Sequence, residues 1–155
     1  MTVGHTIQGL IVSPEAAAKA TAVHGAVPVA LNASSLAFIP MTDALFDQLA
    51  TLFPDAVDEA YGEFWKLSPS GSLWMREVST AGRVAYVETE YFGGGGAQAA
   101  AVWEAGQSIY GPKLGAVGPV NEALRLLGVV RTQTDDEFAV AGLHRHRSND
   151  DWLAG

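Results

Sequence analysis

The sequence predicts a single α+β domain spanning residues 1–155, and three observations predict it. From Arg83 to Gly111 the chain has the period-two alternation of β-strands, broken by short glycine-containing connections. Three neighbouring strands joined so tightly must form an antiparallel meander, because a parallel pair needs a long crossover. Helix signals lie on either side of this stretch, and such segregation of helices from strands is typical of α+β folds.

The segment before the meander predicts a strand, four helices and two short apolar runs. Ser13-Pro14-Glu15 and Thr42-Asp43 both have the hydroxyl cap and first-turn acid that begin a helix. Ser68 to Gly71 is interpreted as a break, and 72–81 is assigned to helix in preference to strand. The predicted elements are a strand at 5–12, helices at 14–24, 43–53 and about 55–67, and apolar runs at 27–31 and 36–39 that form either a strand pair or one strand after a loop.

The meander is expected to have one face covered by helices. Gly93 to Gly96 are interpreted as a hairpin turn or bulge, since no lysine follows them as a phosphate-binding loop requires. Ala105-Gly106 predicts a second tight turn. After the meander, Gly118-Pro119 begins a helix at 119–127 that stops at Gly128. The following segment, 129–132, is a candidate for a brief strand.

The predicted core joins the helices to the meander, and the end of the chain is expected to dock on it. Trp152 and Leu153 are large apolar residues close to the last residue, so the tail should pack against the domain. The core is expected to include Leu45, Phe46, Leu49, Val87, Val102, Val120, Leu124 and Leu127.

Composition excludes several classes of function. Seventeen acids against nine lysines and arginines give a formal charge of −8, which disfavours nucleic acid and anionic membranes as partners. The absence of cysteine excludes disulfides, thiolate metal sites and a cysteine nucleophile. No stretch has the roughly 20 apolar residues of a membrane span, and no signal peptide is evident, so a cytoplasmic location is expected.

Glu88 and Glu90 are the first candidate site. They lie on one face of a predicted strand, about 7 Å apart between α-carbons, a spacing at which paired carboxylates can act as acid and base or bind a cation. The favoured interpretation is simpler, because alternation with Val87 and Tyr91 places both acids on the solvent face of a half-covered sheet.

The second candidate is the basic cluster His144-Arg145-His146-Arg147. With Asp150 and Asp151 it could supply metal ligands, and its two guanidiniums could hold an anion or a partner. Local pairing of the arginines with neighbouring acids is the favoured alternative.

The third candidate is an acidic stripe on the predicted third helix, formed by Asp55, Asp58, Glu59 and Glu63 at helical spacing. No lysine or arginine occurs between Lys19 and Lys66, so this surface could steer a basic partner. A solvated helix face is the simpler interpretation.

Three segments carry a resemblance to a known group: YVETEYFGGGGAQAAAVW at 86–103, NEALRLLGV at 121–129 and DEFAVAGLHRHRSNDDWL at 136–153. They resemble small bacterial immunity proteins encoded beside secreted toxins, over about the C-terminal half. The resemblance implies a cytoplasmic protein that neutralises a toxin without cofactor or catalysis, and a basic nuclease would suit the acidic stripe. The expected function is therefore non-catalytic protein binding. The alternative is a small enzyme or a metal- or anion-binding protein that uses His144 to Arg147.

Overall fold

The computed structural model describes residues 4–32, 35–56, 64, 66–92 and 95–154. Its strands are β1 (His5–Val12), β2 (Val29–Ala30), β3 (Ala37–Pro40), β4 (Val84–Phe92), β5 (Gly95–Glu104) and β6 (Gln107–Gly115). Its helices are α1 (Pro14–Ala20), α2 (Asp43–Leu52), α3 (Pro69–Val78), α4 (Pro119–Leu126), α5 (Glu137–Ala141) and α6 (Asn149–Ala154), with a 3-10 turn at Leu143–Arg145. The strands form one antiparallel sheet in the order β2-β3-β1-β4-β5-β6, which confirms the α+β fold.

The predicted meander is the half of this sheet formed by β4, β5 and β6. Phe92 pairs with Gly95, so the first connection is a hairpin, although Gly93 and Gly94 lie outside the described residues. Ala105 and Gly106 form the second turn with φ of 52° and 81°, the left-handed conformation that a two-residue hairpin turn requires. The third strand, which the sequence predicts from Gln107 to Tyr110, extends to Gly115.

Hydroxyl side chains cap the starts of α1, α2 and α3. Ser13 Oγ accepts the Ala16 N–H at 3.2 Å and Thr42 Oγ1 accepts the Leu45 N–H at 3.1 Å, as predicted. The predicted break at 68–71 is wrong, because Ser68 caps α3 with Pro69 at its first position. The assignment of residue 72 onwards to helix is correct as far as Val78. The helix predicted at about 55–67 falls mainly on residues 57–63, which lie outside the described residues.

Helices cover both faces of the sheet, so the expectation of one covered face is wrong. Val84 and Tyr86 pack with α1, α2 and α3, whereas Ala85 and Val87 face α4, α5 and α6. The central strands therefore bury consecutive residues, including the run from Val84 to Thr89. Two-sided burial of this kind hides polar side chains that alternation alone assigns to solvent.

The remaining predictions concern the core, the short strands and the tail. Of the eight predicted core residues, all are buried except Phe46 and Leu127, which are partly buried. The runs at 27–31 and 36–39 form the β2–β3 pair, and 129–132 is not a strand. The tail docks as predicted, because Trp152 on α6 is buried against Phe38, although Leu153 is exposed.

Candidate functional site

The chain returns to one end of the sheet several times and encloses a cavity of about 440 Å³ there. It opens on the α4–α6 side, between the start of β1, the β4–β5 hairpin, the first turns of α4 and α5, and the tail. We call it the tail cavity, and its lining is formed by Gly4, His5, Tyr91, Gln98, Val117, Gly118, Asn121, Asp136, Phe138, His144 and Arg147.

His5 forms part of the cavity wall and is held from two sides. Its Nε2 lies 3.1 Å from the Leu143 carbonyl, which can only accept, so Nε2 carries the proton. Its Nδ1 lies 2.6 Å from the Thr89 hydroxyl and accepts from it. Burial lowers the pKa of His5, and the charges of His144 and Arg147 lower it further, outweighing backbone hydrogen bonds that raise it. The imidazole is therefore neutral at pH 7 with both nitrogens engaged.

A chain of hydrogen bonds fixes the polar wall beside the hairpin. Gln98 donates through Nε2 to the Tyr91 hydroxyl oxygen at 2.6 Å and accepts the Val120 N–H at 2.7 Å through Oε1. The Tyr91 hydroxyl in turn donates to the Ala116 carbonyl at 2.5 Å. These bonds tie β4 and β5 to the start of α4 and use the polar atoms of both side chains.

Hydrogen bonds also hold together the corner of the cavity between α4 and α5. Asn121 donates to Asp136 Oδ2 at 3.1 Å and accepts the Phe138 N–H at 2.9 Å. Asp136 Oδ1 caps α5 by accepting the Ala139 N–H at 2.9 Å. Both carboxylate oxygens of Asp136 therefore have internal donors.

The predicted basic cluster divides into two structural and two cavity-lining residues. Arg145 donates to the carbonyls of Gly142 and Ala30, and its guanidinium lies 5.0 Å from the centre of the Trp152 ring. His146 packs edge-on against the same ring at 4.8 Å. His144 and Arg147 line the cavity, and their side chains are exposed without a hydrogen bond or ion pair to any described residue.

This division corrects two interpretations of the cluster. The ion pairs among the described residues are Lys66–Asp43, Arg83–Glu104 and Arg125–Glu137, so neither arginine of the cluster pairs with an acid there. The metal hypothesis lacks a ligand set, because no three His, Asp or Glu side chains of the described residues are grouped to hold an ion. The hypothesis of an anion or partner contact at His144 and Arg147 stays a prediction.

Glu88 and Glu90 lie outside the cavity, on the sheet face that carries α1–α3. The expectation of a solvent face is wrong for Glu88, which is 1% exposed and accepts the Tyr86 hydroxyl and the Lys66 N–H, both at 2.8 Å. Burial raises the pKa of Tyr86 well above its usual value, and Glu88 adds to the effect. Glu88 therefore has a structural role in the core, and Glu90 is half-buried.

The acidic stripe is described only at its first residue. Asp55 is exposed, whereas Asp58, Glu59 and Glu63 lie outside the described residues. On α2, Asp43 and Asp47 are exposed on the same side of the sheet, and Asp43 pairs with Lys66. The ion pair with Lys66 lowers the pKa of Asp43.

Most of the cavity was missed by sequence reasoning. His5, Tyr91 and Gln98 come together through strand register, since His5 pairs with Tyr91 across β1 and β4. Asp136 had a usable signal, because an acid before Glu137 and an apolar run is a helix cap. Asn121 had no such signal, because a polar residue in an amphipathic helix is ordinary.

Comparison of the chain with protein-family models, with curated proteins and with solved structures finds no match. Among the helices of the described residues, none has the length and apolar character needed to cross a membrane.

Proposed function

We propose that the protein is a non-catalytic binding protein and that the tail cavity is its recognition site. One observation carries the proposal: the polar groups of the cavity wall are already hydrogen-bonded internally, while the side chains of His144 and Arg147 in the lining have no hydrogen bond to any described residue. The hydrogen-bonded groups hold the shape of the cavity, and the side chains of His144 and Arg147 are available to a ligand. Largely preformed concave sites with a few available polar groups are typical of ligand binding.

The same geometry disfavours catalysis at this place. A general base needs a nitrogen or oxygen directed at the substrate, and both nitrogens of His5 serve the fold. The Asp136 carboxylate likewise caps a helix and accepts from Asn121. His144 is the remaining imidazole in the lining, and no described carboxylate hydrogen-bonds to it to form a dyad.

The proposal predicts that a small apolar probe binds in the cavity. N-phenyl-1-naphthylamine should show enhanced fluorescence with the folded protein, because Val117 and Phe138 provide apolar lining. Val117→Trp should weaken this binding about tenfold by filling the cavity, a loss of about 1.4 kcal/mol.

Val130→Trp is the matched control for this experiment. Val117 is 82% exposed and Val130 is 76% exposed, but only Val117 lines the cavity. Both variants should melt close to the parent temperature. Equal probe affinity in the two variants would refute the cavity as the recognition site.

A second candidate function is that of an immunity protein that neutralises a basic toxin in the cytoplasm. It is favoured by the exposure of Asp43, Asp47 and Asp55 in a stretch that has no lysine or arginine between Lys19 and Lys66. Association with a toxin encoded beside the gene should slow at higher salt, because exposed charges are screened over about 8–10 Å at physiological ionic strength.

The charge reversal Asp47→Lys/Asp55→Lys should lower the association rate and flatten its dependence on salt. Asp135→Lys/Asp150→Lys makes the same change in net charge with exposed residues that precede and follow α5 in the chain. Stopped-flow association at two salt concentrations measures both pairs. If the two double variants change the association rate and its salt dependence equally, the total charge explains both effects. The acidic surface is then rejected as the binding site.

A further inference from the structure

We propose that the ligand of the tail cavity is a small organic carboxylate, with an apolar body in the cavity and its anionic group on Arg147 and His144. This inference rests on the proposed binding function and adds the chemical class of the ligand. It follows from the chemistry of the residues that line the cavity and from its size.

The edge formed by the tail is cationic in a protein that is strongly acidic overall. The chain carries a formal charge of −8, yet Arg147 has no ion pair with any described residue. Burial is the main cause of the lowered pKa of His5, and His144 and Arg147 contribute to it. A guanidinium without a protein partner offers paired donors that match the two oxygens of a carboxylate.

The carboxylate that is part of the lining does not compete for this guanidinium. Asp136 accepts from the Ala139 N–H at 2.9 Å and from Asn121 Nδ2 at 3.1 Å, so each of its oxygens has a donor within its own corner. Its charge lowers the local positive potential but makes no ion pair with Arg147. The anion must therefore lie toward the tail, away from the α4–α5 corner.

The backbone of Arg147 is held firmly, although its side chain has no hydrogen bond or ion pair to a described residue. Its carbonyl accepts the Thr6 N–H at 2.8 Å, and Ser148 forms a bridge with the same residue of β1. The backbone is thus held to the sheet while the guanidinium remains available. A fixed backbone reduces the conformational entropy that a ligand must overcome when it orders the side chain.

Size and apolar lining exclude a simple inorganic anion as the best fit. A water molecule occupies about 30 Å³ of liquid, so a cavity of about 440 Å³ is far larger than phosphate or chloride needs. Val117 and the ring of Phe138 provide apolar surface that such ions leave exposed to water. An aromatic or aliphatic body of roughly ten to twenty heavy atoms would cover this surface and gain from its burial.

The experiment compares two ligands of the same shape that differ in charge. 1-Naphthoate and 1-naphthamide compete with N-phenyl-1-naphthylamine for the folded protein, and displacement of the fluorescent probe measures both affinities. 1-Naphthoate should bind about tenfold more tightly or better, because a hydrogen bond to a charged group is substantially stronger than one between neutral groups. This preference should fall close to one in Arg147→Gln and be partly kept in Arg147→Lys.

Arg131→Gln is the matched control. Arg131 is exposed, lies outside the cavity and, like Arg147, has no side-chain hydrogen bond or ion pair to a described residue. Its replacement by glutamine changes the net charge of the protein by the same amount. It should keep the full preference for 1-naphthoate. If the two naphthalene ligands bind equally to the parent while probe binding still depends on Val117, the carboxylate is refuted and the binding function stands. If probe binding is independent of Val117, the cavity itself fails as the recognition site. A preference lost equally in Arg131→Gln and Arg147→Gln would assign it to overall charge and overturn the role of Arg147.

Discussion

The ion pair between Arg125 and Glu137 joins α4 to α5 and so holds two walls of the tail cavity together. Arg125 Nε and Nη2 both lie 2.9 Å from Glu137 Oε2. The pair is asymmetric, because the Glu137 side chain is 1% exposed and the Arg125 side chain is 60% exposed. We predict that Arg125→Gln destabilises the protein substantially, since it leaves a buried carboxylate without its cation.

The magnitude follows from this asymmetry. Removing one partner of a fully buried pair costs about 3–5 kcal/mol, whereas exposed pairs contribute about 0–1 kcal/mol. Water reaches the Arg125 side of the pair, so we expect about 2–3 kcal/mol for Arg125→Gln. Glu137→Gln leaves an arginine that water can solvate and should cost only about 1 kcal/mol. The double variant removes the buried charge of Glu137 together with Arg125, so it should be more stable than Arg125→Gln alone.

Urea denaturation of the parent, the two single variants and the double variant gives the coupling free energy of the pair. We expect about 1–2 kcal/mol of coupling, as for residues in direct contact. Arg131→Gln is the control for loss of an exposed cation and should change stability by less than about 0.5 kcal/mol. The reasoning is refuted if Arg125→Gln costs as little as the control, or if the two single effects simply add in the double variant.

Two further predictions concern the packing of the core and the dependence of stability on pH. Leu124→Ala should cost about 2–5 kcal/mol, because Leu124 is fully buried and its loss leaves a cavity, whereas Leu153→Ala at an exposed position should cost less than about 1 kcal/mol. A urea titration that gives both variants the same stability would remove Leu124 from the core. The lowered pKa of His5 means that the unfolded chain takes up a proton near pH 6.5 that the folded chain does not. Stability should therefore fall as pH decreases below about 6.5, and His5→Asn should reduce this dependence while His24→Asn at an exposed position keeps it. An unchanged pH dependence in His5→Asn would show that the pKa of His5 is the same in the folded and unfolded chain, which would refute the lowered pKa.

The meander and the helix starts were predictable because their signals are local. Alternation, the Ala105-Gly106 turn and the Ser13-Pro14 cap each act within a few residues, and the structure contains all three. Ser68-Pro69 is the same helix-start signal as Ser13-Pro14, but it was interpreted as a break. Serine and proline are common both at helix starts and in turns, so composition alone does not separate the two.

The burial of both faces was harder to predict because several residues of the central strands are small. Ala85 and Ala100 are buried on the α4–α6 face and Ala101 on the α1–α3 face, and alanine does not distinguish a packed face from an exposed one. Because this burial was not predicted, Glu88 was assigned to the solvent face and treated as a candidate site residue. An acid in a strand that is apolar on both faces is a better sign of a buried polar contact than of a surface.

The cavity was beyond prediction from spacing because its cationic edge depends on tertiary contacts of the tail. Spacing along the sequence does not distinguish the four residues of H-R-H-R. In the structure, Arg145 and His146 pack on Trp152, whereas His144 and Arg147 line the cavity. The 3-10 turn at 143–145 and the burial of Trp152 decide this division. Neither follows a helix or strand period.

The position of Arg147 follows from a structural requirement of β1. Strand β3 pairs with β1 only from Gly9 to Val12, so the first half of β1 lacks a neighbouring strand on that side. The tail covers it instead: the Thr6 N–H donates to the Arg147 carbonyl at 2.8 Å, and the Gln8 N–H donates to Asn149 Oδ1 at 3.0 Å. Covering an open strand edge is a common requirement of sheets, and here it uses the backbone of Arg147 and leaves the side chain unused. Folding therefore depends on the main chain at this position and the proposed binding depends on the guanidinium, so a side-chain substitution can separate the two.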